Sequence, residues 1–128
     1  MKSEELMLND WVLTKEGEPA QVYQIYNGVV ALTAPSPNLY NVECLQPIRL
    51  TPELLEKNGF VKLWNQYVLK ADKEPFIHLI SLDNLPNANG TMLVAIKDRY
   101  TNAKIAITYV HELQHALRLC GIEKEIEL

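Results

Sequence analysis

Cysteine is scarce: the chain has two, Cys44 and Cys120, far apart and outside any C-x-x-C pair. That spacing argues against a disulfide framework and against a cysteine zinc site, and leaves two partly buried reduced thiols as the expectation. Glycine is scarce too, with five in 128 residues. There is little material for loops that cradle phosphate, and no P-loop, G-x-G-x-x-G, G-x-S-x-G or EF-hand pattern occurs. No apolar run approaches the length that spans a membrane. The first residues, MKSEELMLNDW, are acidic where a secretory leader needs a basic end and an apolar run, so a cytoplasmic location is expected. A surplus of positive charge is also missing. Sixteen Asp plus Glu stand against twelve Lys plus Arg, and the basic residues are scattered, so no long-range field favours nucleic acid or anionic lipid. Repeats and low-complexity segments are absent.

What is present is a 48% hydrophobic content, enough for one good core or two small ones sharing an interface. Residues 10–46 read as short strands: DWVLTK, a turn at Glu16-Gly17, PAQVYQIY, a tight Asn27-Gly28 turn, VVALTA, a proline loop at Pro35-Ser36-Pro37-Asn38, and LYNVECL. Asn-Gly between two apolar runs signals a hairpin, because both central residues of a type I′ turn need positive φ. Strands at this spacing predict a curled sheet or barrel of SH3-like size over residues 1–50. Strict alternation in PAQVYQIY places Val22, Gln24 and Tyr26 on one face and Tyr23 with Ile25 on the other. With Trp11 and Tyr40, these tyrosines could line an aromatic groove of the kind that takes proline-rich peptides.

Residues 51–60 carry strong local signals. Thr51 suits an N-cap, Pro52 the first helical position, and Glu53 the positive end of the helix dipole. Leu50 and Leu55 occupy the hydrophobic staple positions, and Asn58-Gly59 provides a stop with Phe60 folded back onto Leu55. A helix this short is unstable alone, so it must be packed. Beyond it, VKLWNQYVLK, FIHLISLD and TMLVAIK read as strands, the last two joined by a connection ending in Asn89-Gly90. Residues 97–107 are ambiguous: Asp98 to Asn102 look like a turn, and KIAIT like a last short strand. The expected second unit, residues 61–128, is an antiparallel sheet covered by a C-terminal helix over 109–120 that Gly121 stops.

That helix contains His111-Glu112-Leu113-Gln114-His115, which fits the H-E-x-x-H pattern. At 100° per residue, Val110, Leu113, Ala116, Leu117 and Cys120 form one apolar side, while His111 and His115 project almost opposite to it, flanked by Gln114 and Arg118. Two imidazoles one turn apart can share a zinc ion, with Glu112 as the general base on a metal-bound water. A catalytic zinc needs a third protein ligand, however. The extended pattern fails because Arg118 stands where its glycine belongs, and only thirteen residues follow His115. Glu123, Glu125, Glu127 and His78 are candidates, none at a recommending distance. The competing interpretation is a helix with one buried and one wet face, the wet face carrying His, Glu, Gln and Arg. Cys120, on another face from His115, is not placed to be activated by it. Lys97, Arg99, Tyr100 and Lys104 form a small basic and aromatic cluster suited to a phosphate backbone or an acidic partner.

Taken together, DWVL, PIRLTPELLEKNGF and YVHELQHALRLCGI resemble a family of small uncharacterised proteins of gut Bacteroidales and their prophages or mobile elements. The resemblance runs from about Leu8 to Glu125. LTPELLEKNGF and YVHELQ are its most specific parts. In that family the position matching His115 is often Asn, which implies that metal binding is not its shared chemistry. The resemblance implies no activity, substrate or catalytic residue.

The expectation is therefore an α+β protein that acts without catalysis, binding a protein partner through a sheet edge or through Gln114 and Arg118, with Arg99 and Tyr100 as further contacts. It needs no cofactor. The alternative from another class is a zinc-dependent hydrolase using His111, Glu112 and His115, and a weaker one is nucleic-acid binding around Tyr100.

Overall fold

The computed structural model describes residues 1–33, 39–64, 66–69, 76–81, 92–97 and 102–128. For Ser3, 76–81, 92–97 and 102–104 it describes the backbone alone. The fold is α+β, with two antiparallel five-stranded sheets and a C-terminal helix. The chain divides into two compact units: Met1–Ile48 with Tyr109–His111, and Arg49–Thr108 with Glu112–Leu128.

The first unit holds β1 (Trp11–Leu13), β2 (Pro19–Tyr26), β3 (Val29–Leu32), β4 (Leu39–Asn41) and β5 (Gln46–Pro47), in the order β4-β3-β2-β1-β5. Val12, Ala20, Val22, Val30 and Leu32 make its core together with Leu6, Val42 and Leu45. At the β1–β2 turn, Gly17 has φ +83° and donates to the Thr14 carbonyl at 2.9 Å, while the Thr14 hydroxyl accepts from the Glu18 N–H at 3.2 Å. The β2–β3 connection falls at Asn27-Gly28 as expected, with Tyr26 paired to Val29. Its geometry differs from type I′: Gly28 has φ +79°, but Asn9 and Trp64 are the non-glycine residues with positive φ among those described, so Asn27 keeps an ordinary φ. LYNVECL is strand only as far as Asn41 and then a 3₁₀ turn over Val42–Cys44. That turn leaves Cys44 exposed, against the expectation of a partly buried thiol; Cys120 is half-buried and both are free. The proline loop lies outside the described residues.

Strict alternation fails in β2. A bulge between Val22 and Gln24 shifts the register, because one extra residue on one strand changes which side chains face the core beyond it. Ile25 thereby joins Val22 against the core, and Tyr23 and Tyr26 are both exposed, at 42% and 52%. Tyr40 packs on the core instead of standing free with them.

The second unit begins with α1 (Pro52–Lys57), and its ends are those the sequence signals predict. The Thr51 hydroxyl accepts from the Leu54 N–H at 3.2 Å, and Gly59, at φ +87°, donates to the Glu56 carbonyl at 3.2 Å. Leu55 and Phe60 are both buried, and α1 lies against β6. The sheet comprises β6 (Phe60–Leu63), β7 (Gln66–Leu69), β8 (Phe76–Ser81), β9 (Met92–Lys97) and β10 (Asn102–Ile107), each paired with its sequence neighbour. VKLWNQYVLK, expected as one strand, is the β6–β7 hairpin: Leu63 pairs with Gln66, and the chain reverses between them. Trp64 has φ +59°, a left-handed conformation that tryptophan enters only at a cost, which is why no turn was signalled there. β8 and β9 pair as expected, and KIAIT belongs to β10; the Asn89-Gly90 turn lies outside the described residues.

The last helix, α2 (Val110–Leu119), is entered through two backbone hydrogen bonds, one in each unit: the Val110 N–H to the Ile48 carbonyl at 2.8 Å, and the Leu50 N–H to the Thr108 carbonyl at 3.0 Å. It ends in a Schellman turn. Gly121, at φ +72°, donates to the Arg118 carbonyl at 3.0 Å and Ile122 to the Leu117 carbonyl at 2.9 Å. Among the described residues no helix is long and apolar enough to cross a membrane.

Candidate functional site

Two places carry the residues that chemistry or recognition would use: the H-E-x-x-H helix and the β6 edge. On α2, Val110, Leu113, Ala116 and Leu117 are buried as their spacing predicts. The wet face does not follow the prediction. His111 is 5% exposed and Gln114 6%, so the buried side extends round the helix to include both. Tyr109 stacks on His111, with ring centroids 5.9 Å apart and planes within 10°, and this covers one face of the imidazole. The His111 Nδ1 atom is buried and makes no hydrogen bond to the described residues, while the ring holds its place by the stack. What stays accessible is a narrower strip: half-buried Glu112, His115 and Arg118, and Leu119 at 76% exposure. Gln114 is thus no candidate for partner contact, whereas Arg118 keeps partial access.

Glu112 has a structural task. Its Oε1 accepts the Thr108 N–H at 3.0 Å, two residues before the helix begins. A carboxylate in the first turn that takes up a backbone donor just before the helix ties the entering chain to it and complements the helix dipole. That bond engages one of the two carboxylate oxygens. Among the described residues no three His, Cys, Asp or Glu side chains are grouped so as to hold a metal ion. His78 lies on β8, where the backbone alone is described. Arg99 and Tyr100 lie outside the described residues, and Lys97 and Lys104 take strand positions in β9 and β10.

The β6 edge is the second place. In the order β10-β9-β8-β7-β6, β6 ends the sheet, and among the described residues no strand pairs with its outer side. Val61 and Leu63 are 45% and 47% exposed, and Trp64 at the hairpin tip is 95% exposed. Lys62 lies between the two apolar residues and is exposed as well. Sequence reasoning missed this surface because the run read as a single strand. The signal that could have found it was Asn65, a turn former in the middle of the run.

The first unit also has an open depression of about 1080 Å³, lined in part by Glu4, Glu5, Glu43, Gly28 and Tyr109. Its carboxylates form no metal-binding group. Comparison with protein families, curated proteins and solved structures found no match to this chain.

Proposed function

We propose that this is a noncatalytic protein-interaction protein whose contact surface is the β6 edge and the Trp64 hairpin tip. Trp64 carries the argument. A tryptophan that is 95% exposed gains almost nothing from burial, and at φ +59° it strains the backbone. Local stability therefore selects against it on two counts, and strain of this kind is characteristic of sites kept for contact with something else. Tryptophan is also the side chain most enriched where partners bind most tightly. Val61 and Leu63 extend the apolar surface along the edge strand, which suits addition of a partner strand.

The order β4-β3-β2-β1-β5 supports an SH3-like description of the first unit. The LTPELLEKNGF and YVHELQ segments support membership of the Bacteroidales mobile-element family, and the two free cysteines support a cytoplasmic setting.

The test is photo-crosslinking in cells from a reactive amino acid at position 64, followed by reconstitution with the identified protein and calorimetric titration. A true partner crosslinks at 64 far more than from a control at Glu53, and Trp64→Ala weakens it by about ten-fold or more, as for an interfacial anchor. Equal crosslinking from both positions, or equal affinity of the variant, would overturn the proposal.

A further inference from the structure

Asn58 sits one residue beyond α1 and is 3% exposed. A primary amide has two N–H donors and one carbonyl acceptor. Here Nδ2 donates to the Leu54 carbonyl at 2.8 Å and to the Glu127 carbonyl at 2.7 Å, while Oδ1 accepts the Glu127 N–H at 2.7 Å. The bond to Leu54 fixes the plane of the amide. The remaining pair then offers Glu127 the same donor and acceptor that a neighbouring strand would offer, so it reads backbone and not side chain.

The surroundings add selectivity. Ile126, the residue before, is 3% exposed, whereas Glu125 and Glu127 are exposed. The Lys57 ammonium donates to the Leu128 carbonyl. A Cβ on Gly59 would stand 3.8 Å from the Lys124 Nζ and 4.0 Å from a Leu69 methyl, so the Lys124 side chain reaches the helix stop. After the Gly121 turn, residues 122–128 form neither helix nor strand.

We infer that the C-terminal end of α1, with Asn58 as its backbone-reading clamp, is a peptide-binding site filled in cis by residues 125–128. Its ligand class is a short extended peptide with one large apolar side chain at the position of Ile126, read by main-chain hydrogen bonds at the next residue. The site lies within the second unit and does not depend on the role given to Trp64. Tethering holds the tail at an effective concentration of roughly millimolar order, so a free peptide binds measurably only when the tail is displaced.

The test uses the full chain. Amide exchange should show Glu127 protected in the wild type and on the order of ten-fold or more faster in Asn58→Asp, whose carboxylate cannot donate to either carbonyl; the Val110 and Val22 amides should not change. In Ile126→Asp the tail loses its anchor, and a fluorescent peptide of sequence EKEIEL should bind this variant, bind the wild type at least ten-fold more weakly (about 1.4 kcal/mol), and fail to bind Ile126→Asp/Asn58→Asp. Exchange of Glu127 at the rate of an unstructured peptide in the wild type would overturn the inference. So would peptide binding indifferent to Asn58, or a folded Ile126→Asp that takes no peptide at millimolar concentration. If Ile126→Asp does not fold, the exchange comparison decides alone.

Discussion

Replacing Trp64 by alanine and by glycine separates two contributions that are usually confounded. The ring is 95% exposed, so its removal costs little burial in the isolated chain. Alanine keeps the Cβ and hence the strain at φ +59°, and its stability should fall within about 0.5 kcal/mol of the wild type. Glycine removes the Cβ penalty, about 1–2 kcal/mol. It also enlarges the conformational freedom of the unfolded chain, which offsets about 0.4–1 kcal/mol of that gain. The net expectation is that Trp64→Gly is more stable than Trp64→Ala by about 0.5–1 kcal/mol. At about 2.1 cal/mol/K per residue, 128 residues unfold with roughly 0.27 kcal/mol/K, so the midpoints should differ by about 2–4 °C. The difference grows if the second unit unfolds by itself. Calorimetry or circular dichroism of the three proteins reads this directly. Glycine no more stable than alanine would refute the strain argument. A wild type more stable than alanine by over about 1 kcal/mol would show that the ring contacts its own chain, and would remove the reason to assign it to a partner.

The bond from Glu112 to the entering chain predicts that Glu112→Gln keeps most of the stability, since an amide oxygen still accepts from the Thr108 N–H, while Glu112→Ala loses about 0.5–2 kcal/mol in urea unfolding. A Gln variant as unstable as Ala would contradict it. For Tyr40, partial burial, with the Glu16 and then the Glu18 carboxylate nearby, raises the phenol above its usual 10.0. The folded chain therefore holds this proton more tightly than the unfolded chain: the contribution is fully present below pH 10 and is lost as pH rises through the folded value. Ultraviolet titration should find one tyrosine ionising late, and Glu16→Gln/Glu18→Gln should bring it closer to 10 without removing the effect of burial. A Tyr40→Phe chain that still shows the late tyrosine would assign it elsewhere.

Legibility in the sequence followed the range of the interaction. Thr51, Pro52 and Gly59 act on neighbours within four residues, and α1 starts and stops where they indicate. Gly121 ends α2 for the same reason. Asn27-Gly28 marked the position of its hairpin but not the turn geometry, because only Gly28 takes positive φ. The β2 bulge was not legible, since alternation assumes an unbroken ladder and one inserted residue reverses it beyond Val22. Trp64 hid a turn because its residue type argues for a strand. The burial of His111 and Gln114 depends on what surrounds the helix, and helical spacing alone places them on its wet side. Asn58 was legible as a helix stop only; its partner Glu127 is 69 residues away, beyond the reach of any local signal.

The strand orders of the two units imply different folding histories. Every strand of the second sheet pairs with its neighbour in sequence, beginning with the β6–β7 hairpin, a structure that forms within about 1–10 μs. Such a sheet can grow one strand at a time with short loop closures. The first sheet must bring Val12 to Pro47, and the unit it belongs to also includes Tyr109–His111. During synthesis, the part of the protein made first is therefore finished only after residue 111 has been added. Its hydrophobic core draws on residues no later than Leu45, so that core can close long before Tyr109–His111 arrive to complete the unit.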